Sequence, residues 1–366
     1  MRWIAWRNRV LANPRFQDWA ARNWLTRRVA RRKARELFDL VAGFTYTQVL
    51  LAMVQSGLLE RLGQGPGTLA ELAATTGLSE AAALRLVKAS ESLDLVEEAT
   101  PGIWMLGQRG AALLSQEGAK AMIRHHPLLY RDLADPLALL RQDRAVPTAL
   151  SEFWRYAARE QAATEASDSV TPYSLLMAAS QAMVAREVLR ALPLERYKAL
   201  LDVGGGHGAF VAHVAEQLPR LRLAVFDLPG VVEGAAARLA ALGLEEQVAL
   251  HGGDFFRDSL PQGFDCISLV RILHDHDDGP AQRLLDAIRI ALPPGGALLI
   301  AEPMAGTRGA EAMGEAYFGM YLWAMRSGRP RRSDEIGAML GKAGFSRWRE
   351  FPTAQPLIAR VIVAFA

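Results

Sequence analysis

The residues that can do chemistry follow one another along a single stretch, from Asp202 to Glu302. Leu200-Leu201-Asp202-Val203-Gly204-Gly205-Gly206-His207-Gly208 reads as a strand that turns into a helix. Glycine lets such a turn tighten and lets the backbone come close to a ligand. Gly204, Gly206 and Gly208 alone would suit a dinucleotide loop equally well. Asp202 narrows the choice, because an acid entering the loop repels a pyrophosphate but can take the ammonium of an amino-acid-like ligand. The Gly-Lys-Ser/Thr of a P-loop is missing. A second strand ends at Asp227-Leu228, about 20 residues on, the spacing at which an acid holds ribose hydroxyls. A third ends near Asp254-Phe255, where the acid can accept from an adenine amino group and the ring can flank the base. A single acid of this kind is as easily a solvated turn residue. Three at successive strand ends face the carboxyl edge, where such sheets bind ligands.

This ordered set resembles the S-adenosylmethionine-dependent class I methyltransferases, over residues 197–366. The resemblance implies S-adenosylmethionine as cofactor, held by Asp202, Gly204, Gly206, Gly208, Asp227, Leu228, Asp254 and Phe255, with Arg271 beside them. The fourth strand runs into Leu269-Val270-Arg271-Ile272-Leu273-His274-Asp275-His276-Asp277-Asp278. His274 therefore sits just past a strand end, beside the methyl donor. An alcohol attacking a sulfonium methyl must lose its proton as the C–O bond forms, and histidine titrates near the working pH. A carboxylate on the other ring nitrogen fixes the tautomer. Glu302, at the end of the next strand, is placed for that, and Asp275 joins the catalytic set. His276, Asp277 and Asp278 have no second cluster to bind metal with, so they read as loop and helix-cap residues; no metal site is expected.

Leu273-His274-Asp275-His276-Asp277-Asp278 resembles the Leu-His-Asp-Trp-x-Asp motif of the plant-type small-molecule O-methyltransferases. That resemblance implies an N-terminal winged-helix dimerisation domain, His274 as base and Glu302 as its orienting acid. There are two departures. A second orienting Glu precedes an Arg-Thr pair in some members; in Gly328-Arg329-Pro330-Arg331-Arg332 its place is taken by Pro330, so the base is expected to be held on one side only. The motif's Trp is His276. The family's Phe-x-x-x-Met pocket pattern is matched by Tyr173 and Met177. The run Tyr317–Met325, including Met320 and Trp323, would add an adaptable apolar wall, although a plain core helix gives the same run. Ile123–Pro136, which carries His126, together with Ala324–Arg331 and the N-terminal arm leading into Leu37–Phe44, looks like the bacterial carotenoid O-methyltransferases. These are known as hydroxyneurosporene or demethylspheroidene O-methyltransferases. This resemblance implies methylation of the tertiary C1 hydroxyl of an acyclic hydroxycarotenoid.

The elements that must position these residues alternate. Strands are predicted at Ala199–Val203, Leu223–Phe226, Val248–His251, Cys266–Val270 and Ala297–Ala301, with helices between them, and Phe345–Phe351 and Leu357–Phe365 form an antiparallel edge pair. This is an α/β pattern, a mostly parallel sheet covered on both faces. Before it, residues 120–195 read as helices broken at Pro127, Pro136, Pro147 and Pro172. Thr68 with Glu71 makes a capping box, Ser79 caps a second helix, and a hairpin turns at Thr100-Pro101-Gly102; two helices and a hairpin spell a winged helix. Leu37–Leu62 reads as one buried apolar helix, a poor membrane span because Asp39, Thr45, Thr47, Gln48 and Gln55 interrupt it. The expected division is a basic arm at 1–36, a dimerisation and substrate-lid domain at 37–165 and a methyltransferase domain at 166–366.

The chain has 366 residues and a formal charge of +3, which conceals an asymmetry. Residues 1–35 hold eleven basic residues and one acid, a balance of +10; the remaining 31 basic and 38 acidic residues give −7. Four of the eight tryptophans lie in this arm: Trp3, Trp6, Trp19 and Trp24. Such an arm suits an anionic membrane surface, an acidic partner subunit or an organelle transit peptide. A lone Cys266 excludes an internal disulfide scaffold and fits a reducing compartment, so a cytoplasmic protein, peripheral at the inner membrane, is expected. Competing readings are an O-methyltransferase of a phenol or polyketide, a bacteriochlorophyll C-methyltransferase, against which His274 argues, and a DNA-binding regulator. For the last, Glu80–Leu93 offers only Arg85 and Lys88 against Glu80 and Glu91, so no nucleic-acid partner is expected. A homodimer is expected.

Overall fold

The computed structural model describes residues 1–154 and 171–366, the side chains of 171–179 excepted. The chain forms two compact units, Met1–Gln116 and Glu117–Ala366. The expected boundary at 165/166 lies outside the described residues.

The first unit opens with helices Arg2–Leu11 and Pro14–Arg22, the second capped by the Asn13 side chain, which accepts from the N–H of Arg15 and Phe16. Helix Arg27–Gln55 then runs unbroken across position 36. Gly57, at φ 76°, breaks the apolar stretch, and Leu58–Gly63 is a separate helix. The sequence predicted one buried helix here, and the structure differs. Leu37, Phe38, Leu40, Val41 and Phe44 are each more than 60% exposed, and burial begins only at Leu51, Met53 and Val54. Among the described residues Arg27–Gln55 is the one helix that passes a test of length and mean hydropathy for crossing a bilayer, and 17% of its most apolar window is buried. Thr68 and Glu71 form the predicted capping box of helix Leu69–Thr76, and Ser79 caps Glu80–Ser92. The hairpin pairs β2 (Val96–Thr100) with β3 (Ile103–Leu106), and the short β1 (Gly67–Thr68), which sequence periodicity missed, pairs with β3 on its other side. Trp104 is the largest side chain buried here.

In the second unit, β4 (Ala199–Val203), β5 (Arg222–Asp227), β6 (Val248–Gly252), β7 (Cys266–Val270), β8 (Ala297–Glu302), β9 (Arg347–Phe351) and β10 (Arg360–Phe365) make one sheet of order β6-β5-β4-β7-β8-β10-β9. β4 to β8 are parallel, and β10 runs antiparallel between β8 and β9. β4, β7 and β8 are buried at every position, as strands covered on both faces must be. Alternate residues face opposite cores. Leu201, Ile267 and Ile300 pack with Leu284, Leu285 and Ile288 on one side. Leu200, Cys266 and Leu299 pack with Phe210, Val214 and Val188 on the other. Cys266 is ordinary core, its thiol pushed up by burial. The strand order reverses between β4 and β7, so a crevice opens beyond their carboxyl ends.

Helix Glu117–Asp132 continues through Pro127, where the sequence predicted a break. Proline removes one helical N–H and crowds the preceding turn. Here neighbouring histidines tie the helix to Tyr317 and Tyr321, and that packing outweighs the local cost.

Candidate active site

Gly204, Gly206 and Gly208 hold φ of 71°, 58° and 70°, backbone that other residues resist. A Cβ at Gly204 would meet the Ile272 side chain at 2.6 Å. Asp227 organises this loop from the neighbouring strand. One carboxylate oxygen accepts the Gly206 N–H at 2.7 Å and the other accepts the Leu228 N–H at 2.7 Å. Burial raises its pKa to about 6 against these two donors. Each oxygen keeps a free lone pair, as a ribose diol requires.

Asp202 is 1% exposed and lies under the loop, against Gly205. Its Oδ1 accepts the Ser268 hydroxyl at 2.6 Å, while Oδ2 has no partner. Burial, opposed by Ser268 and assisted by Asp227, raises its pKa to about 7. Asp254 accepts the Phe256 N–H at 2.9 Å and is braced by Asp258, which accepts the Asp254 N–H. His276 stands edge-on to Phe255 and Phe256, at 5.6 and 5.1 Å, and burial holds it neutral with a pKa lowered to about 4. Three left-handed glycines, a two-oxygen acid on the next strand and an orphaned buried carboxylate fit a nucleoside carrying a cationic amino-acid tail.

His274 sits in a single 3-10 turn, Leu273–Asp275, at the end of β7 and is 5% exposed. Glu302, wholly buried at the end of β8, accepts the His274 backbone N–H at 3.1 Å. Its oxygen lies 3.8 Å from ring Nδ1, too far for a hydrogen bond. The ring's close partner is Asp275, with Oδ1 3.1 Å from Nε2. The expectations of Glu302 as the ring's clamp and of a base held on one side are both revised: Glu302 grips the backbone and Asp275 grips the ring, so carboxylates flank the imidazole on two sides. The physical reason is the 3-10 turn, whose tight winding brings the Asp275 side chain back onto its neighbour. Burial opposes the charged ring, but Asp275 and Glu302 outweigh it and raise the His274 pKa.

A cavity beside His274 and Asp275 is walled by Met122, Trp154, Arg271, Tyr317, Phe318, Tyr321, Leu322 and Met325. Met320 and Trp323, expected in this wall, are not among its lining residues. Trp323 instead donates to the Leu139 carbonyl at 3.2 Å and carries the Arg144 guanidinium on its face. Helical phase explains the difference, since Phe318, Tyr321, Leu322 and Met325 share one face and Met320 and Trp323 point away from it. His126 meets the Tyr317 hydroxyl at 2.8 Å. His125 meets the Tyr321 hydroxyl at 2.8 Å, and Trp154 donates to the same hydroxyl. Burial lowers the pKa of both histidines, His125 to about 4, so each is a neutral partner that fixes a tyrosine. Adjacent histidines facing tyrosines spaced by four are a signal that sequence reading overlooked. Arg271, grouped with the cofactor residues by sequence, has φ 61° and donates to Ser180 at 2.6 Å, with its side chain on the cavity side. Tyr173 and Met177 belong to helix Thr171–Ala191, but their side chains lie outside those described.

The electrostatics give a direct test. Asp275→Asn removes the carboxylate that favours imidazolium and leaves burial, which favours the neutral ring. The His274 titration, followed by imidazole NMR, should move to lower pH; an unchanged or higher midpoint would overturn this account.

Comparison with known proteins identifies the family. Residues 130–346 match the O-methyltransferase domain family. The chain is 42% identical to the demethylspheroidene O-methyltransferase of Cereibacter sphaeroides, over 97% of this chain and 93% of that protein. It is also 42% identical to the Rhodobacter capsulatus protein of the same name, over 97% and 88%. The crystal structure of human N-acetylserotonin methyltransferase in complex with SAM superposes with a TM-score of 0.76 at 26% identity, covering 91% of this chain and 97% of that one. The chain belongs to the O-methyltransferase family of class I, S-adenosylmethionine-dependent enzymes.

Proposed function

We propose that this chain methylates the tertiary C1 hydroxyl of an acyclic hydroxycarotenoid, with His274 as general base. The observation that carries the reading is a histidine held between Asp275 and Glu302 at the wall of an aromatic cavity, one strand away from the glycine loop. The names of the relatives that are 42% identical over nearly the whole chain support the carotenoid.

S-adenosylmethionine, when bound, supplies a methyl group activated by its sulfonium. The residues fitted to hold it are Asp202, Gly204, Gly206, Gly208, Asp227, Leu228, Asp254 and Phe255, while Arg271 faces the aromatic cavity. His274 takes up the hydroxyl proton as the acceptor oxygen attacks in line, and the imidazolium so formed lies between two carboxylates. A tertiary alcohol is a weak acid and a crowded nucleophile, so alignment and exclusion of water contribute much of the rate. The aromatic wall of Tyr317, Phe318 and Tyr321 excludes water, and His126, through Tyr317, fixes part of its shape. Tyr173 and Met177, matched to the family's pocket pattern, are assigned to the substrate on that resemblance alone. In the order of the chain, residues 1–36 serve as the basic arm, 37–165 as a winged-helix-like dimerisation and lid region, and 166–366 as the methyltransferase domain, with the protein a homodimer in the cytoplasm. The arm contacts the inner membrane surface. Trp3 and Trp6 are stacked at 4.8 Å, and Trp3, Trp6, Trp19 and Trp24 are each more than half exposed, among arginines. Trp at an interface beside cationic side chains is the composition such contact needs; each basic residue near an anionic surface contributes about 1 kcal/mol.

Labelled methyl transfer to a panel of hydroxycarotenoids and phenols tests the acceptor. Transfer to hydroxyneurosporene is expected, and transfer to phenols alone would overturn the carotenoid assignment. His274→Ala should lose turnover by roughly 10²–10⁴-fold, the usual contribution of a general base, and keep S-adenosylmethionine affinity; undiminished turnover would remove His274 from the mechanism. Deleting residues 1–35 should abolish flotation with anionic liposomes, whereas undiminished flotation would rule out the membrane role of the arm.

A further inference from the structure

The turn that carries His274 presents four consecutive carbonyl oxygens, and one short segment, 327–331, donates to all of them. The Leu273 carbonyl accepts Arg331 Nη1 at 2.8 Å. The His274 carbonyl accepts the backbone N–H of Arg329 at 3.0 Å. The Asp275 carbonyl accepts the Ser327 hydroxyl at 2.6 Å. The His276 carbonyl accepts Arg331 Nη2 at 2.7 Å.

The segment is built for this contact. Arg331 is 0% exposed, and its charge is met by Asp278, which accepts from Nε at 3.1 Å and from Nη2 at 2.8 Å. Gly328 holds φ 79° and passes so close to the turn that a Cβ would collide with the His274 carbonyl oxygen. Its N–H donates to Asp277 at 3.1 Å. A single 3-10 turn has poor internal hydrogen-bond geometry and little intrinsic persistence. Its peptide planes are therefore set by whatever binds their carbonyls.

We propose that segment 327–331 is a clamp that positions His274, with Ser327 and Arg331 as its positioning residues. This rests on the reading of His274 as base. By fixing the peptide planes, the clamp fixes where the Asp275 carboxylate lies against the ring, and so both the aim of the imidazole and its basicity. The charged groups that face His274 are Asp275 from its own turn, Glu302 from β8 and Arg271 from the segment before the turn. Loosening the turn lets Asp275 retreat from the ring and leaves burial less opposed, so the base should lose its proton at lower pH.

Ser327→Ala removes one clamp bond and leaves the core untouched; Ser327→Thr restores the hydroxyl. With hydroxyneurosporene as acceptor, Ser327→Ala should lower kcat roughly threefold to tenfold, the range for one lost hydrogen bond. The acidic limb of its kcat profile should move to lower pH, S-adenosylmethionine affinity by calorimetry should stay unchanged, and Ser327→Thr should behave as the parent. Arg331→Met should act in the same direction and more strongly. The His274 imidazole titration by NMR reads the same displacement without any acceptor, so it holds if the acceptor is another molecule. A kcat that falls with an unmoved limb and titration, or a parent-like Ser327→Ala, would overturn the clamp. His274→Gln separates the two ideas: if it keeps parental turnover the base reading fails, and if it is inactive while Ser327→Ala is parent-like only the clamp fails.

Discussion

An imidazole shut away from water favours its neutral form, because low-dielectric surroundings penalise charge. His274 is 5% exposed, yet it is the buried histidine of this chain whose basicity is raised. His125 and His276, buried like it, and the half-buried His126 are all lowered. The difference is that Asp275 hydrogen-bonds the His274 ring and Glu302 adds a second negative charge beside it, whereas His276 feels Asp275 and Asp277 only at a distance. Much of the second unit exists to keep those groups together. The parallel pairing of β7 with β8 brings the ends of two strands level, so that Glu302 reaches the turn that follows Val270.

The same economy governs the glycine loop. Asp202 and Asp227 are buried acids on paired strands, and the burial of each is opposed by a small number of donors. Asp227 accepts the Gly206 N–H with one oxygen, which aligns the loop, and the N–H of its neighbour Leu228 with the other, at the cost of holding an acid in the interior. Asp202 keeps an oxygen without a partner under the loop. A buried acceptor left open is costly in a protein that binds nothing there, and a cationic tail relieves that cost. Because β4 and β7 are neighbours at the point where the strand order reverses, the loop and the histidine turn open onto one crevice.

The aromatic wall is polar where it matters. Tyr317 and Tyr321 are anchored by His126, His125 and Trp154, and burial pushes the Tyr317 hydroxyl up to about 12, so it stays protonated. Neutral partners let the wall remain rigid without introducing charge into an apolar cavity. The charged groups at the cavity are Arg271, tied to Ser180, and Asp275 on the His274 ring. In the first unit the apolar surface is arranged differently. Helix Arg27–Gln55 leaves Leu37 to Phe44 uncovered, on a chain whose opening residues are basic and rich in tryptophan.

Local rules were enough for the framework. Strand–helix alternation, the capping box at Thr68, the cap at Ser79, the glycine loop and the acids at three strand ends were legible because turn chemistry and periodicity act over a few residues. His274 was legible for the same reason, as a histidine one turn past a buried strand. What the sequence left undecided depends on the direction of side chains and on residues distant in the chain. Asp275 rather than Glu302 holds the ring because a 3-10 turn folds it back, a geometry that spacing does not encode. Tyr321 and Met325 face the cavity in place of Met320 and Trp323 because the face a helix buries is chosen by what packs on it, here His125 and Trp154, more than 160 residues away. The segment 327–331 closes over the histidine turn across about 50 residues, through backbone carbonyls that carry no sequence signature at all.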